Sequence, residues 1–270
     1  MNINFNRHRA QLRCESILNC TTLDQWQNSD FKNLQLSASQ ASLLSFDLMD
    51  DSKDLYYKGL LSLFESIKSI NAGLYSWATV KIYYSIYYFL RCTMALNGVA
   101  LIRQKSLYYL KANIGEKPVM KNNKKYNSDH SGTINYYIEL FSSDILLSQS
   151  IEFNNPYEWL MNKREQINYR ERSFNEPNYS DFWKNVADHV KLGKLEKLIK
   201  DYWNDEFFLC FQPENAILAI PIKRAFLTNS KLQAEGIDVS LNDSQRQLLI
   251  DLLPTESSDL VKLLTISLNK

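Results

Sequence analysis

The sequence has little glycine, proline or histidine: 7, 6 and 3 residues among 270. Few turn residues between long periodic stretches favour a helical protein over a sandwich of short strands. The sequence contains no glycine-rich phosphate loop, no His-Glu-x-x-His helix and no Gly-x-Ser-x-Gly turn, which are the motifs of NTPases, zinc hydrolases and serine hydrolases. We therefore expect no metal site and no cofactor.

Cysteine is also sparse, and no two of Cys14, Cys20, Cys92 and Cys210 have the two-residue spacing of a zinc or redox motif. We expect free thiols in a reducing compartment. The polar N-terminal segment lacks the apolar core of a secretory signal, so we expect a cytoplasmic protein. Lysine and arginine (31) nearly balance aspartate and glutamate (30), so a nucleic-acid site would have to be a local patch.

The most apolar stretch spans residues 77–98 and reads WATVKIYYSIYYFLRCTMALNG. Its unbroken apolar run, bracketed by Lys81 and Arg91, is shorter than the roughly 20 residues of a membrane span. A helix that is apolar all round must be covered all round. The stretch therefore predicts the buried central helix of an all-α domain, with no membrane association and with Gly98 as a left-handed cap.

A second apolar stripe, with steps of three and four, predicts a helix over residues 54–74 that begins after Asp50 and Asp51 and packs antiparallel to the central helix. The residues before it indicate a loop with one short helix from about residue 39. Residues 99–102 fit either a short strand or a helical turn. Further helices are predicted over residues 133–141, 157–169, 182–209 with a break at Gly193, 244–253 and 257–268.

The composition changes after residue 209. Residues 216–222 form an apolar run that follows Pro213 and contains Pro221 near its end, a pattern that suits an edge strand. We expect an N-terminal extension (1–53), a helical core (54–209) and a C-terminal accessory segment (210–270). The predicted fold is all-α, an antiparallel helical bundle with an accessory tail that contains a short edge strand.

Two basic clusters are candidate phosphate sites. The polar loop 115–132 contains Lys121, Lys124 and Lys125, which suit either a phosphate patch or a solvated loop. The segment REQINYRER, residues 164–172, places Arg164, Ile167, Asn168 and Arg172 at helical steps, with Arg170 beside them. Arginine forks bind phosphate, and asparagine or tyrosine orients a ribose or stacks on a base. In the alternative, Arg164 and Arg170 pair with Glu165, Glu171 or Asp181, and Tyr169 packs in the core.

The order of three motifs resembles the HEPN family (higher eukaryotes and prokaryotes nucleotide-binding) over roughly residues 55–200. Its members are small helical domains common in prokaryotic toxin–antitoxin and anti-phage systems. The resemblance is carried by an aromatic helix with Tyr83-Tyr84-Ser85, Tyr87-Tyr88, Arg91 and Ala95-Leu96, by the turn His130-Ser131-Gly132, and by a later helix with Arg164 and Asn168-Tyr169. It implies a helical bundle, often a homodimer that brings two motif helices together.

One departure bears on activity. In ribonucleases of this family, four to six residues separate the motif arginine from a histidine. Tyr169, Arg170 and Glu171 stand there instead, and tyrosine, with an ordinary pKa near 10, is a poor general base at neutral pH. His130 supplies an imidazole if the preceding loop folds back.

Three functions follow. The resemblance implies a non-catalytic component of a defence or toxin–antitoxin module that binds RNA, a nucleotide or a partner protein encoded in the same operon. The first alternative is a metal-independent ribonuclease that uses Arg164, Tyr169 and His130, with Asn168, Arg170, Arg172, Lys121, Lys124 and Lys125 binding RNA. The second is a structural adaptor.

Overall fold

The computed structural model describes residues 7–126, 128–239 and 241–253. These residues are mostly helical, as predicted, with one small antiparallel sheet. No helix among them is long and apolar enough to span a bilayer. The elements, in chain order, are α1 (Arg9–Ile17), α2 (Asn28–Lys32), α3 (Ala38–Asn71), α4 (Tyr75–Leu96), β1 (Val99–Arg103), β2 (Leu107–Lys111), α5 (Asp129–Leu140), α6 (Pro156–Glu165), α7 (Lys184–Lys191), α8 (Leu195–Asn204), α9 (Pro213–Ala234) and α10 (Asp243–Asp251).

The chain divides into two compact units. The first consists of Met1–Leu55 and Leu90–Glu139, and the second of Tyr56–Phe89 and Leu140–Lys270. Helices α3 and α4 contribute residues to both. The division of the sequence into segments 1–53, 54–209 and 210–270 stays a prediction.

In the first unit, the carboxylate of Asp51 caps the N-terminus of α1. Its oxygens accept the backbone N–H groups of Arg9 (2.8 Å) and Ala10 (2.9 Å). Burial alone would raise the pKa of Asp51, but the imidazole of His8, 3.7 Å away, and the hydrogen bonds from these two N–H groups hold the pKa below its ordinary value. The prediction that the acidic residues start a helix near residue 54 is wrong, because α3 already begins at Ala38 and Asp51 serves the start of another helix.

A β-hairpin follows α4. Gly98 (φ +69°) ends the helix in the left-handed conformation, as predicted. Strand β1 then pairs antiparallel with β2, with Leu101 opposite Tyr109, so the strand alternative for residues 99–102 is confirmed. The partner strand was not predicted. Behind the hairpin, the ring of Tyr108 packs edge-on against Phe31, with centroids 4.9 Å apart.

In the second unit, α3 and α4 lie antiparallel, as predicted. Lys81 on α4 pairs with Glu65 on α3 at 2.8 Å. Further along, Gly59 admits the ring of Phe89, since a Cβ atom at Gly59 would lie 2.5 Å from that ring. Within α4, Trp77 alone is exposed, and the other side chains are buried or half-buried. The helix is therefore covered nearly all round, as its sequence requires.

The predicted edge strand at residues 216–222 is wrong. This run lies in the middle of α9 and is fully buried. From sequence alone, a short apolar run is compatible both with a buried strand and with part of a helix buried on all sides. The two prolines do not distinguish these structures. Pro213 occupies the first helical turn, where its missing N–H costs nothing, and Pro221 lies inside the helix.

The remaining predictions are mostly confirmed. Gly193 (φ +66°) separates α7 from α8, and Asn242 forms a capping box with Gln245 at the start of α10. The helix predicted from residue 133 begins earlier, at Asp129. The helix predicted over residues 257–268 lies outside the described residues.

Candidate functional site

Helix α6 positions Arg164 in the second unit. The side chain of Asn155 caps the helix by accepting the N–H groups of Tyr157 (3.1 Å) and Glu158 (3.0 Å), and Pro156 fills the first helical position. The predicted start of this helix is thus confirmed. Arg164 lies in its last turn and is only 7% exposed.

A wide turn follows α6 and brings Tyr169 over Arg164. Residues Gln166–Arg170 form a π-helical turn, in which the N–H of Glu171 donates to the carbonyl of Gln166, five residues back, at 3.0 Å. A π-turn brings residues five apart to the same side, which an α-helical turn does not. Arg164 Nη2 accordingly donates a hydrogen bond to the Tyr169 hydroxyl at 3.1 Å.

Three tyrosine rings surround the Arg164 guanidinium. Its Cζ atom lies 5.2 Å from the ring centroid of Tyr83, 6.0 Å from that of Tyr84 and 5.0 Å from that of Tyr169. Burial raises the pKa of Tyr83, and the positive charge of Arg164 opposes that shift. The rings supply cation–π attraction but no negative charge.

Among the residues that the structure describes, no carboxylate balances the charge of this guanidinium. Across the described part of the chain, no carboxylate lies within 4 Å of it, and its Nε is buried without a hydrogen-bond partner. Arg224, in the same unit and 3% exposed, shows the usual arrangement, since it pairs with Asp144 at 2.7 Å. Buried charges are normally paired. Among the described residues Arg164 departs from this rule, as does Lys223, which is 3% exposed and whose Nζ donates to the carbonyl of Trp203 at 2.6 Å.

The alternative that Arg164 pairs with a nearby carboxylate is therefore not what the structure shows, although Arg170 does lie 3.7 Å from Glu165. Tyr169 is not in the core: it is 70% exposed. Arg172 lies beyond the helical residues and is exposed. The expected common face of Arg164 and Arg172 is wrong, because the π-turn ends before Arg172. Asn168 is half-buried within that turn.

The lysines predicted to bind RNA belong to the first unit. Lys121 pairs with Glu139 at 2.7 Å, while Lys124 and Lys125 are exposed on a short 3-10 turn. Lys121 also lines a cavity of about 250 Å³ together with Arg103, Lys105 and Asp129. Sequence reasoning missed Arg103 and Lys105, which the hairpin brings to this cavity.

His130 also lies in the first unit, in the opening turn of α5. The expectation that His130-Ser131-Gly132 forms a turn before the helix is wrong, because all three residues are helical. Its role as a base for Arg164 stays a prediction.

Within the described ranges, no group of three or more histidine, cysteine, aspartate or glutamate side chains is arranged to hold a metal ion. All four cysteines are free, and Cys14, Cys92 and Cys210 are buried. Comparisons of the chain with protein-family models, with curated proteins and with solved structures give no match.

Proposed function

We propose that the protein is a HEPN-like component of a prokaryotic defence or toxin–antitoxin module that binds RNA or a nucleotide through Arg164, without the family's Arg–His cleavage. The order of the three sequence motifs and the helical core support the family assignment. One observation carries the binding function: the buried Arg164 has no carboxylate counterion within the described part of the chain.

Phosphate is the ligand that suits this arginine. A guanidinium forms short, charge-assisted and often bidentate hydrogen bonds with phosphate oxygens. Arg164 makes one hydrogen bond in the described structure, to a neutral phenol, and its Nε makes none. A phosphate would supply both the negative charge and the missing acceptor.

Tyr169 is the group through which a ligand would reach Arg164. Its side chain is exposed and is held by the hydrogen bond to Arg164. Rotation of this side chain about its own torsions would uncover the guanidinium without unfolding α6. We expect the phenol to exchange its hydrogen bond with Arg164 for one with the bound phosphate or ribose.

Binding of uridine monophosphate and of a short RNA tests this proposal by calorimetry and fluorescence anisotropy. We expect Arg164→Gln to weaken both by tenfold or more, and Arg170→Gln, at an exposed arginine six positions on, to have a much smaller effect. Unchanged binding by Arg164→Gln would contradict the proposal. Incubation with RNA in EDTA tests cleavage separately. Cleavage abolished by Arg164→Gln would support the metal-independent ribonuclease instead, and absence of any RNA or nucleotide binding would favour the structural adaptor.

A further inference from the structure

A cavity of about 250 Å³ in the first unit, here called the hairpin cavity, is lined by three cations. Arg103 and Lys105 reach it from the hairpin, and Lys121 from the segment that follows β2. Asp129, at the start of α5, also lines it. Its volume is below the roughly 300–1,000 Å³ of pockets for drug-sized ligands. The hairpin cavity therefore suits a small ligand rather than a nucleic-acid strand.

The hairpin loop that carries Lys105 is held by the side chain of Gln104. This side chain belongs to a residue only 1% exposed, and it donates from Nε2 to the carbonyl of Trp26 at 2.7 Å and accepts the N–H of Lys105 at 2.7 Å. The N–H of Gln104 donates to the carbonyl of Ser106 at 3.1 Å. The backbone at Lys105 is therefore fixed beside the cavity, while its ammonium group is exposed and accessible to a ligand.

Two carboxylates of α5 hold other lining side chains in place. Glu139 accepts hydrogen bonds from Lys121 Nζ at 2.7 Å and from the Tyr126 hydroxyl at 2.9 Å, one on each carboxylate oxygen. Arg103 forms an ion pair with Asp129. Guanidinium and ammonium groups carry more donors than these pairs use, so Arg103 and Lys121 retain donors for a ligand.

The charges at the hairpin cavity favour an anion. The three lining cations stand against two carboxylates, which leaves an excess of one positive charge. Lys105 is the cation without a carboxylate within 4 Å in the described ranges. The N-terminus of α5, a helix of 12 residues, adds roughly half a positive charge. A phosphate monoester, at about −1.5 to −2 near pH 7, matches this total better than a single carboxylate does.

Close packing of the hairpin on α5 brings the helix N-terminus to the cavity. At Gly132, in the first turn, a Cβ atom would lie 2.9 Å from Leu107 Cδ2 and 2.9 Å from the Tyr109 hydroxyl oxygen. That hydroxyl is buried and has no hydrogen-bond partner in the described part of the chain. Leu107 and Ser128, the residue before the helix, both line the cavity. A helix N-terminus of this kind favours a bound anion.

We infer that the hairpin cavity binds the dianionic phosphate group of a small molecule, with Lys105 as the principal contact and Arg103 and Lys121 as further donors. A phosphate group presents enough oxygens to accept from all three cations at once, whereas one carboxylate presents two. The same chemistry would recognise free inorganic phosphate or a small phosphate monoester. This site does not use Arg164, so the inference goes beyond the proposed function.

Calorimetry with inorganic phosphate and with glycerol 3-phosphate tests the inference, and malonate, a dianion without phosphorus, is the control ligand. We expect at least one of the phosphates to bind about tenfold or more tightly than malonate. Equal affinities for the two phosphates would identify free phosphate as sufficient, and tighter binding of the ester would identify an organic phosphate. Failure of both to bind at millimolar concentration, or malonate binding as tightly, would overturn the inference.

Substitutions of Lys105 locate the binding. Lys105→Gln should weaken phosphate binding about tenfold or more, the usual loss for one charge-assisted hydrogen bond, while Lys105→Arg should retain most of it. Lys111→Gln is the matched control, because Lys111 is an exposed lysine of the same hairpin that does not line the cavity. A loss for Lys111→Gln as large as that for Lys105→Gln would show general charge attraction and overturn the site.

Titration of Arg164→Gln separates this inference from the proposed function. Phosphate binding that survives Arg164→Gln and is weakened by Lys105→Gln supports the hairpin cavity, whatever happens to RNA binding. Phosphate binding that is lost in Arg164→Gln and unchanged in Lys105→Gln would place the phosphate at Arg164, which overturns this inference and leaves the proposed function standing. Displacement of glycerol 3-phosphate from Arg164→Gln by a short RNA, with RNA affinity lowered by Lys105→Gln, would make the cavity part of an RNA surface and would also overturn it.

Discussion

Arg224 Nη1 donates a hydrogen bond to Asp144 Oδ2 at 2.7 Å, with the two side chains 4% and 5% exposed. The Tyr157 hydroxyl donates to the same carboxylate oxygen at 2.7 Å. Arg164 is nearly as buried, yet the polar partner found for it among the described residues is a neutral phenol. These two arginines of one unit therefore differ in whether the protein itself neutralises their charge. We relate the paired Arg224 to the stability of the fold, and Arg164 to ligand binding.

Replacing Arg224 should destabilise the protein severely. Arg224→Met leaves Asp144 buried without its cation, and breaking a buried pair in this way costs about 3–5 kcal/mol. Urea unfolding measures the change in the free energy of unfolding. Lys191→Met, at a side chain 62% exposed, should change it by no more than about 0.5 kcal/mol. A loss for Arg224→Met as small as that of this control would contradict the role given to the pair.

Replacing Arg164 should cost far less stability. Arg164→Gln removes cation–π contacts worth about 0.5–2 kcal/mol, but it also removes a buried charge and leaves no carboxylate behind. We expect the free energy of unfolding to fall by at most about 1–2 kcal/mol, as measured by the same urea titration. A loss equal to that of Arg224→Met would show that Arg164 is a structural cation rather than a binding group.

Asp51 should make the first unit acid-sensitive. Because its folded pKa lies below its ordinary value, the ionised carboxylate stabilises the fold fully above the unfolded pKa of about 3.9. That contribution is lost as the pH falls through the lower, folded pKa. Asp51→Asn should therefore be less stable than wild type at pH 7, by about 1–3 kcal/mol, and the gap should shrink on acidification towards pH 3.

Urea titrations across this pH range check the prediction for Asp51. Asp24→Asn, at an exposed carboxylate, is the control and should follow wild type at every pH. A difference between wild type and Asp51→Asn that stays constant with pH would rule out the ionised carboxylate as the cause.

Gly59 is required by the packing of α3 on α4. On an open helix surface, alanine would be favoured over glycine by about 1 kcal/mol, but here its Cβ would lie 2.5 Å from the Phe89 ring. We expect Gly59→Ala to destabilise by about 1–3 kcal/mol through overpacking. The double variant Gly59→Ala with Phe89→Leu should recover part of that loss in a double-mutant cycle. Strictly additive effects would mean that the two residues are not coupled.

The parts of the fold that were predicted correctly are those specified by residues close to each other in the sequence. The central helix α4 and its cap at Gly98 follow from a long apolar pattern that ends in a glycine. The start of α3 was misjudged because Asp51 resembles a helix-start residue, whereas its carboxylate caps α1, 41 residues away along the chain. The strand predicted at residues 216–222 failed because an apolar run buried on all sides has no period of its own.

The candidate site was predicted only in part for the same reason. Arg164 and Tyr169 stood out through their spacing and residue types. Their contact depends on a π-helical turn, which no residue pattern in the segment predicts. The rings of Tyr83 and Tyr84 come from a helix about 80 residues earlier, and in the sequence they are indistinguishable from core residues of the central helix.

The salt dependence of RNA binding tests the central claim most directly. The affinity of an unstructured 12-nucleotide RNA is measured for wild type, Arg164→Gln and Arg170→Gln over a range of KCl concentrations. If Arg164 holds a backbone phosphate, Arg164→Gln will lower the affinity at least tenfold and reduce the slope of log K against log salt by about 0.7, the value for one phosphate of a single strand. Arg170→Gln will change the affinity much less. An Arg164→Gln variant that binds with the wild-type affinity and slope would contradict the account.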